Sequence, residues 1–79
     1  MTTKKEKEQT RATLERQVES QRNVVAVTLS RYKAAKHLAK KAPYEHQREY
    51  ESEANGLKWE LASDRAEYYR LYSQLHELE

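Results

Sequence analysis

The 79-residue chain has no cysteine and no phenylalanine, and it contains only one glycine and one proline. The absence of cysteine excludes disulfides and cysteine-based metal or redox sites. Because two chain-breaking residues leave little room for turns, an all-β or α/β fold is disfavoured and we expect an all-α protein. The chain also lacks any apolar run of about 18 residues, so we predict no membrane-spanning segment.

The N-terminal segment MTTKKEKEQT is polar and charged. It has no apolar stretch of the kind found in secretory signals, so we expect a cytoplasmic protein. Thr3-Lys4-Lys5-Glu6 has the form of a capping box, the side-chain arrangement that starts many helices. Since nearly all of the neighbouring residues are charged, we expect residues 1–9 to be a frayed N-terminus and residues 10–79 to be a single helical domain.

An apolar repeat with steps of three and four residues begins at Leu14 and predicts a long helix, helix 1. Pro43 disfavours a helical conformation at Ala42 and is well suited to the first turn of a new helix, so we place a turn at Ala42-Pro43. The members of the repeat are Leu14, Val18, Val25, Leu29, Tyr32, Ala35, Ala39 and Ala42, with Gln21 in one slot.

A second repeat predicts helix 2, from residue 43 to about residue 77. The pair Asn55-Gly56 inside it is a helix-breaking signal, but the repeat keeps its phase across the pair, which favours one helix. Three helices with a break at Asn55-Gly56 are the alternative. The repeat consists of Tyr50, Ala54, Leu57, Leu61, Tyr68, Leu71, Leu75 and Leu78, with Asp64 in one slot.

Folding the chain back at residue 43 aligns both repeats at once, which predicts a long antiparallel two-helix hairpin of the coiled-coil type. The hairpin also pairs a basic half, residues 1–43 with net charge +7, with an acidic half, residues 44–79 with net charge −5. A single helix kinked at Pro43 and paired between two chains is the alternative. The expected neighbours are Leu29 with Leu57, Val25 with Leu61, Val18 with Tyr68, Leu14 with Tyr72, and Asp64 with Gln21 and Arg22.

Each predicted helix carries a second apolar stripe that a two-helix hairpin leaves in water. We call these the Val24 stripe (Val24, Val27, Ala34 and Leu38, with Arg31 among them) and the Trp59 stripe (Trp59, Ala62, Ala66 and Tyr69). A hairpin this small needs further burial, so we expect a homo-oligomeric helical bundle or a larger protein partner. The alternative is that Trp59, Tyr69 and the two alanines are scattered surface apolar residues, which are common. Tyr, Trp and Arg concentrate binding energy at interfaces. The predicted protein-binding residues are Trp59, Ala62, Arg65, Ala66, Tyr69, Arg70 and Tyr72.

The chain has neither a nucleophile motif nor a glycine-rich phosphate loop, so we expect no enzyme, cofactor or small-molecule substrate. The spacing of His37, His46 and Glu49 near the turn does not match a metal site, and we predict none. We expect a non-enzymatic adaptor, co-chaperone or inhibitor of a larger protein, of a kind that viruses and mobile elements also encode. In outline the chain resembles secretion co-chaperones and virus-encoded inhibitors, but similarity of shape does not carry function.

The segment RYKAAKHLAKK, residues 31–41, contains five cations and no acid. Such a segment is typical of a phosphate-contacting helix. The alternative function is therefore a nucleic-acid-binding accessory protein. A membrane-surface role is not expected, because helix 1 has no Trp or Phe. The predicted nucleic-acid-binding residues are Arg31, Lys33, Lys36, Lys40 and Lys41.

Overall fold

A computed structural model describes residues 3–78, which form two α-helices in an antiparallel hairpin. α1 spans Lys4–Lys41 and α2 spans Tyr44–Glu77. The Cα atoms extend over 62 × 14 × 13 Å. The all-α hairpin with its turn at Ala42-Pro43 is thus confirmed, whereas its association into a bundle stays a prediction. Residues 1 and 2, in the predicted N-terminal segment 1–9, and residue 79, in the predicted helical domain 10–79, lie outside the described residues.

The start of α1 is the capping box expected from the sequence. The Thr3 hydroxyl accepts a hydrogen bond of 3.2 Å from the Glu6 amide, and the Glu6 carboxylate accepts one of 3.3 Å from the Thr3 amide. Two of the amide groups that a helix start leaves unpaired are thereby satisfied. α1 is helical from Lys4 onward, and the fraying of residues 1–9 stays a prediction.

The turn consists of two residues in extended conformation, Ala42 (φ −67°, ψ 151°) and Pro43 (φ −53°, ψ 148°). The Ala42 amide still donates to the Leu38 carbonyl at 2.8 Å, which closes the last turn of α1. The Gln47 side chain donates to the Ala42 carbonyl at 3.2 Å. Because Pro43 has no amide hydrogen, it adds no unpaired donor where the chain reverses.

α2 continues through Asn55-Gly56, so the three-helix alternative is wrong. Gly56 has no positive φ, and a Cβ added there would meet no atom within 4 Å. The residue therefore answers no steric need within the hairpin. It lowers helix stability by about 1 kcal/mol relative to alanine.

The residues between the helices, here called the seam, recur in alternating steps of three and four. This 3.5-residue period is that of a left-handed coiled coil. All seam residues are buried or half-buried. In α1 they are Leu14, Val18, Gln21, Val25, Thr28, Tyr32, Ala35, Ala39 and Ala42; in α2 they are Gln47, Tyr50, Ala54, Leu57, Leu61, Asp64, Tyr68, Leu71 and Leu75, and Leu78 follows at the helix end.

The apolar core is small. Among residues 3–78 its buried apolar members are Ala35, Ala54, Leu61 and Leu71, and two of these four are alanines. Most other seam residues remain half-exposed, since a two-helix layer covers each helix on one side only. Within the described part of the chain, neither helix combines the length and the hydrophobicity that crossing a bilayer requires.

A polar layer joins the helices at Asp64. The Thr28 hydroxyl, in a residue that is 4% exposed, donates to Asp64 Oδ2 at 2.7 Å. The Gln21 side chain donates to the Asp64 main-chain carbonyl at 3.0 Å. The placement of Asp64 beside Gln21 is therefore confirmed, but no ion pair joins Asp64 to Arg22 within residues 3–78. The assignment of Leu29 to the seam was off by one position: Thr28 is buried, and Leu29 is half-buried at the seam edge.

Candidate interaction surfaces

The hairpin has two broad sides. The position of a residue relative to the seam decides on which side it lies. Each residue turns a helix by about 100°, and the helices are antiparallel. Residues directly after a seam residue therefore share one side, the front, and residues directly before one share the other, the rear. Two shallow surface grooves agree with this division. Apart from seam residues, one is lined by Lys36, Lys40, Glu51 and Asn55, and the other by Gln17, Ser20, Glu67, Arg70 and Gln74.

The Trp59 stripe lies in water, as the sequence predicts. Trp59 is 76% exposed and Tyr69 is 63% exposed, and Ala62 and Ala66 are exposed as well. Ala62 and Tyr69 follow seam residues and so lie on the front. Trp59 and Ala66 lie two positions from the seam on either side, which places them on the outer ridge of α2. The stripe thus runs obliquely from the ridge onto the front.

The tyrosines at the C-terminal end of α2 form a contiguous cluster. The Tyr68 ring, in the seam, lies 5.7 Å from the Tyr69 ring edge-on and 6.0 Å from the Tyr72 ring in a stacked arrangement. The Tyr72 ring is in turn 4.7 Å from the ring of His76. Aromatic pairs at these distances are mutually stabilising. Tyr69 and Tyr72 are therefore held on the front by a ring that is anchored between the helices.

The two predicted site arginines lie on opposite sides of the hairpin. Arg65 follows the seam residue Asp64 and is exposed on the front, where it forms no ion pair with any residue in 3–78. Arg70 lies on the rear, and its Nε donates to Glu67 Oε2 at 2.9 Å. That hydrogen bond lowers the pKa of the Glu67 carboxyl and raises the pKa of Arg70 above its ordinary value. Arg65 is thus placed with the Trp59 stripe, while Arg70 is engaged with its own helix.

The Val24 stripe lies entirely on the rear, because each of its members directly precedes a seam residue. Val24, Val27 and Leu38 are exposed there. The fold therefore does not merge the two stripes into one surface. A partner helix that covers the Trp59 stripe leaves the Val24 stripe in water.

The predicted nucleic-acid-binding residues are all exposed, and they divide between the two sides of the hairpin. Lys33, Lys36 and Lys40 lie on the front, whereas Arg31 and Lys41 lie on the rear. Glu51, from the acidic start of α2, lines one groove with Lys36 and Lys40. Within residues 3–78, none of the five forms an ion pair with a carboxylate. The Lys36 ammonium lies 5.4 Å from the centroid of the Tyr32 ring on its own helix.

Two residues near the turn were missing from the sequence-based sites. Arg48 follows the seam residue Gln47, so it lies on the front beside the lysines of α1. Tyr44, the first residue of α2, is 90% exposed. Tyr44, Arg48 and Glu51 line one groove, and Glu51 also lines the groove of Lys36 and Lys40. The sequence signal was weak, because Arg48 stands alone among glutamates and meets the lysines only through the hairpin.

Among residues 3–78, no group of three His, Asp or Glu side chains is placed to hold a metal ion. What the hairpin presents is an exposed aromatic stripe at mid-length, an exposed aliphatic stripe on the rear, and a basic region at the turn. Comparison with known proteins gives no match by family model, by curated sequence or by solved structure.

Proposed function

We propose that the protein is a non-enzymatic, protein-binding helical hairpin whose contact surface is the Trp59 stripe. The observation that carries the proposal is the exposure of Trp59 and Tyr69 on one oblique stripe of α2, about 15 Å apart along the helix, in a hairpin whose core is small. Scattered exposed apolar side chains are common, whereas apolar residues aligned in one exposed stripe with a polar border are typical of interaction sites. Both residue types concentrate binding energy at protein interfaces.

The energy available from the two rings supports the proposal but also limits it. Aromatic side chains bury about 150–250 Å² each, so the exposed fractions of Trp59 and Tyr69 correspond to roughly 300 Å². At about 25 cal/mol per Å², their burial contributes roughly 7 kcal/mol. Association costs about 4–15 kcal/mol in lost freedom of motion, so the rings alone do not suffice. The partner must also pack closely against Ala62 and Ala66, whose small side chains permit the 8–10 Å helix spacing of packed helices.

The front position of Arg65 indicates what the partner presents at the edge of the stripe. An unpaired guanidinium binds a carboxylate through two parallel hydrogen bonds. A helix with an apolar face bordered by Asp or Glu therefore fits the stripe. When the chain is alone, the available polypeptide is a second copy, and we expect self-association at raised concentration. In the cell, where we expect the protein to be cytoplasmic, a larger protein binds the Trp59 stripe instead. The chain then serves as the adaptor, co-chaperone or inhibitor of that protein.

The test compares Trp59→Ala plus Tyr69→Ala with a matched control, Val24→Ala plus Val27→Ala. Both pairs are exposed, and they lie on different sides of the hairpin. Light scattering across a concentration series measures mass, and Trp59 emission in the wild type and in the control reports whether the indole is shielded. We expect the wild type and the control to associate with a blue shift, and the Trp59 variant to remain a single chain of 9.4 kDa. Loss of association in the control alone would assign the interface to the rear.

The larger-partner role is tested by immobilising the wild type and the same two variants. A protein held through the stripe is retained by the wild type and the Val24 variant but not by the Trp59 variant. Soluble wild-type chain added in excess should release the retained protein, because the soluble and the immobilised chains compete for the same surface of that protein. Equal retention by all three immobilised chains would place the contact elsewhere.

A further inference from the structure

The front of the hairpin at its closed end carries a second surface, apart from the Trp59 stripe. We propose that this surface binds single-stranded nucleic acid, an activity beyond the proposed protein-binding function. We call it the turn-end patch and define it by Lys33, Lys36, Lys40, Arg48 and Tyr44. Its residues come from both sides of the turn, so only the folded hairpin assembles it.

The turn-end patch has more positive than negative charge. α1 has no acid after Glu19, and within residues 3–78 no cation of the patch forms an ion pair. Glu51 lies among the four cations, and Glu45 borders them at the Tyr44 groove. On the rear of the same end Arg31 and Lys41 are balanced by Glu49 and Glu53, so the excess positive charge lies on the front. The closed end therefore attracts polyanions.

The side-chain types favour phosphate over the carboxylates of a protein partner. Three of the four cations are lysines, whose ammonium groups act as point charges toward phosphate, whereas planar bidentate recognition of carboxylates favours arginine. The apolar residues that line the groove between Lys36 and Asn55 are two alanines, Ala39 and Ala54, so the groove has no large apolar side chain. Tyr44 is the one large exposed ring of the patch, and among residues 3–78 no exposed aliphatic side chain stands beside it to extend an apolar contact with a protein partner. The Trp59 stripe is a separate surface, since Trp59 lies 15 residues, or about 22 Å, along α2 from Tyr44.

Tyr44 and the shape of the closed end favour a single strand over a duplex. The Tyr44 ring is 90% exposed beside Arg48, which leaves its face open to stack on an unpaired base. Such stacking accompanies positively charged grooves in proteins that bind single strands. The duplex major groove, about 12 Å wide, admits one α-helix, whereas the patch is shared by two. Phosphates bound to the three lysines and Arg48, with a base stacked on Tyr44, engage every cation of the patch and its exposed ring.

The test measures binding of a fluorescein-labelled 20-mer of thymidylate by anisotropy between 50 and 200 mM salt. Four phosphate contacts predict that affinity falls about 50-fold over this range, at a slope of about −0.7 per contact. In Lys36→Gln plus Lys40→Gln two contacts remain, and the fall shrinks to about 7-fold. The matched control is Lys4→Gln plus Lys5→Gln, which removes the same charge from the open end of α1 and should behave as wild type. Tyr44→Leu should lower the affinity for the single strand about 5-fold or more.

Failure of this inference can be told apart from failure of the protein-binding proposal, because the variants used here leave Trp59 and Tyr69 in place. The inference is overturned if the open-end control loses as much affinity as the Lys36 variant, or if a 20-base-pair duplex binds as tightly as the single strand. It is also overturned if polyglutamate displaces the oligonucleotide as well as unlabelled thymidylate does, since the patch would then recognise negative charge in general. Circular dichroism of each variant confirms that the exposed substitutions leave the hairpin folded.

Discussion

Replacing Thr28 with valine removes the hydroxyl that links the two helices at Asp64 and keeps the shape of the side chain. The lost hydrogen bond is 2.7 Å long and ends on a carboxylate. Hydrogen bonds to charged groups contribute about 1.5–3 kcal/mol, and the partial exposure of Asp64 favours the lower end. We therefore expect Thr28→Val to lower the free energy of unfolding by about 1.5 kcal/mol. For a domain of this size, the melting temperature should fall by about 6–12 °C.

The control is Thr13→Val, the same substitution at an exposed position of the same helix. The Thr13 hydroxyl is exposed and donates to the Gln9 carbonyl within α1 rather than to α2, so a change below about 0.5 kcal/mol is expected. Adding Asp64→Leu to Thr28→Val should recover the lost stability, because removing both polar partners leaves no desolvated carboxylate. Both are measured by thermal and urea melts at one chain concentration. Equal melts for the Thr28 and Thr13 variants would refute the claim that this layer links the helices.

Three further outcomes follow from the geometry. Gly56→Ala should raise the free energy of unfolding by about 1 kcal/mol in urea melts, because the new methyl group meets no atom within 4 Å and favours the helix. Leu61→Ala should cost about 2–4 kcal/mol in the same melts, since Leu61 is 5% exposed, whereas Trp59→Ala in the monomer should cost under about 0.5 kcal/mol. Arg70→Ala should return the lowered pKa of Glu67 to its usual range in an NMR titration, and an unchanged midpoint would contradict the hydrogen bond. Since that pKa is lowered in the folded chain, the pair stabilises it above the ordinary Glu pKa and loses this effect as pH falls through the lowered value.

The scarcity of breakers and the two repeats predict the helices, the turn and the continuity of α2 correctly. Pro43 fixes the position of the turn, and the phase kept across Asn55-Gly56 shows that the glycine lies inside a helix. These features depend on local backbone preference and on burial along one face, which a sequence displays directly.

The fine register of the seam was less predictable. Leu29 is the larger apolar residue, so the repeat was drawn through it, although the 3.5-residue period places Thr28 between the helices. Thr28 is tolerated there because its hydroxyl has a partner on the other helix, and a one-helix pattern does not show that partner. The same limit applies to Asp64. Its charge suggested Arg22 as the partner, but in the hairpin the Thr28 hydroxyl donates to its carboxylate and the Gln21 amide donates to its main-chain carbonyl.

The surfaces were predicted as lists of residues but not as sides of a hairpin. Grouping Arg65 with Arg70 follows their closeness in sequence, yet they lie on opposite sides. Tyr44 and Arg48 join the lysines of α1 only through the turn. Which residues share a side depends on the seam of both helices together, and this is where reasoning along one helix fails.

The most direct test of the central claim reads the mass of the wild-type chain and its Trp59 emission on the same samples as concentration rises. The account predicts that the mass increases from that of a single 9.4 kDa chain while the emission shifts to shorter wavelength in step, because association covers the Trp59 stripe. A rise in mass with an unchanged, water-exposed emission would show that the chain associates through another surface. A single chain with exposed Trp59 at every concentration would contradict the expected self-association through the stripe.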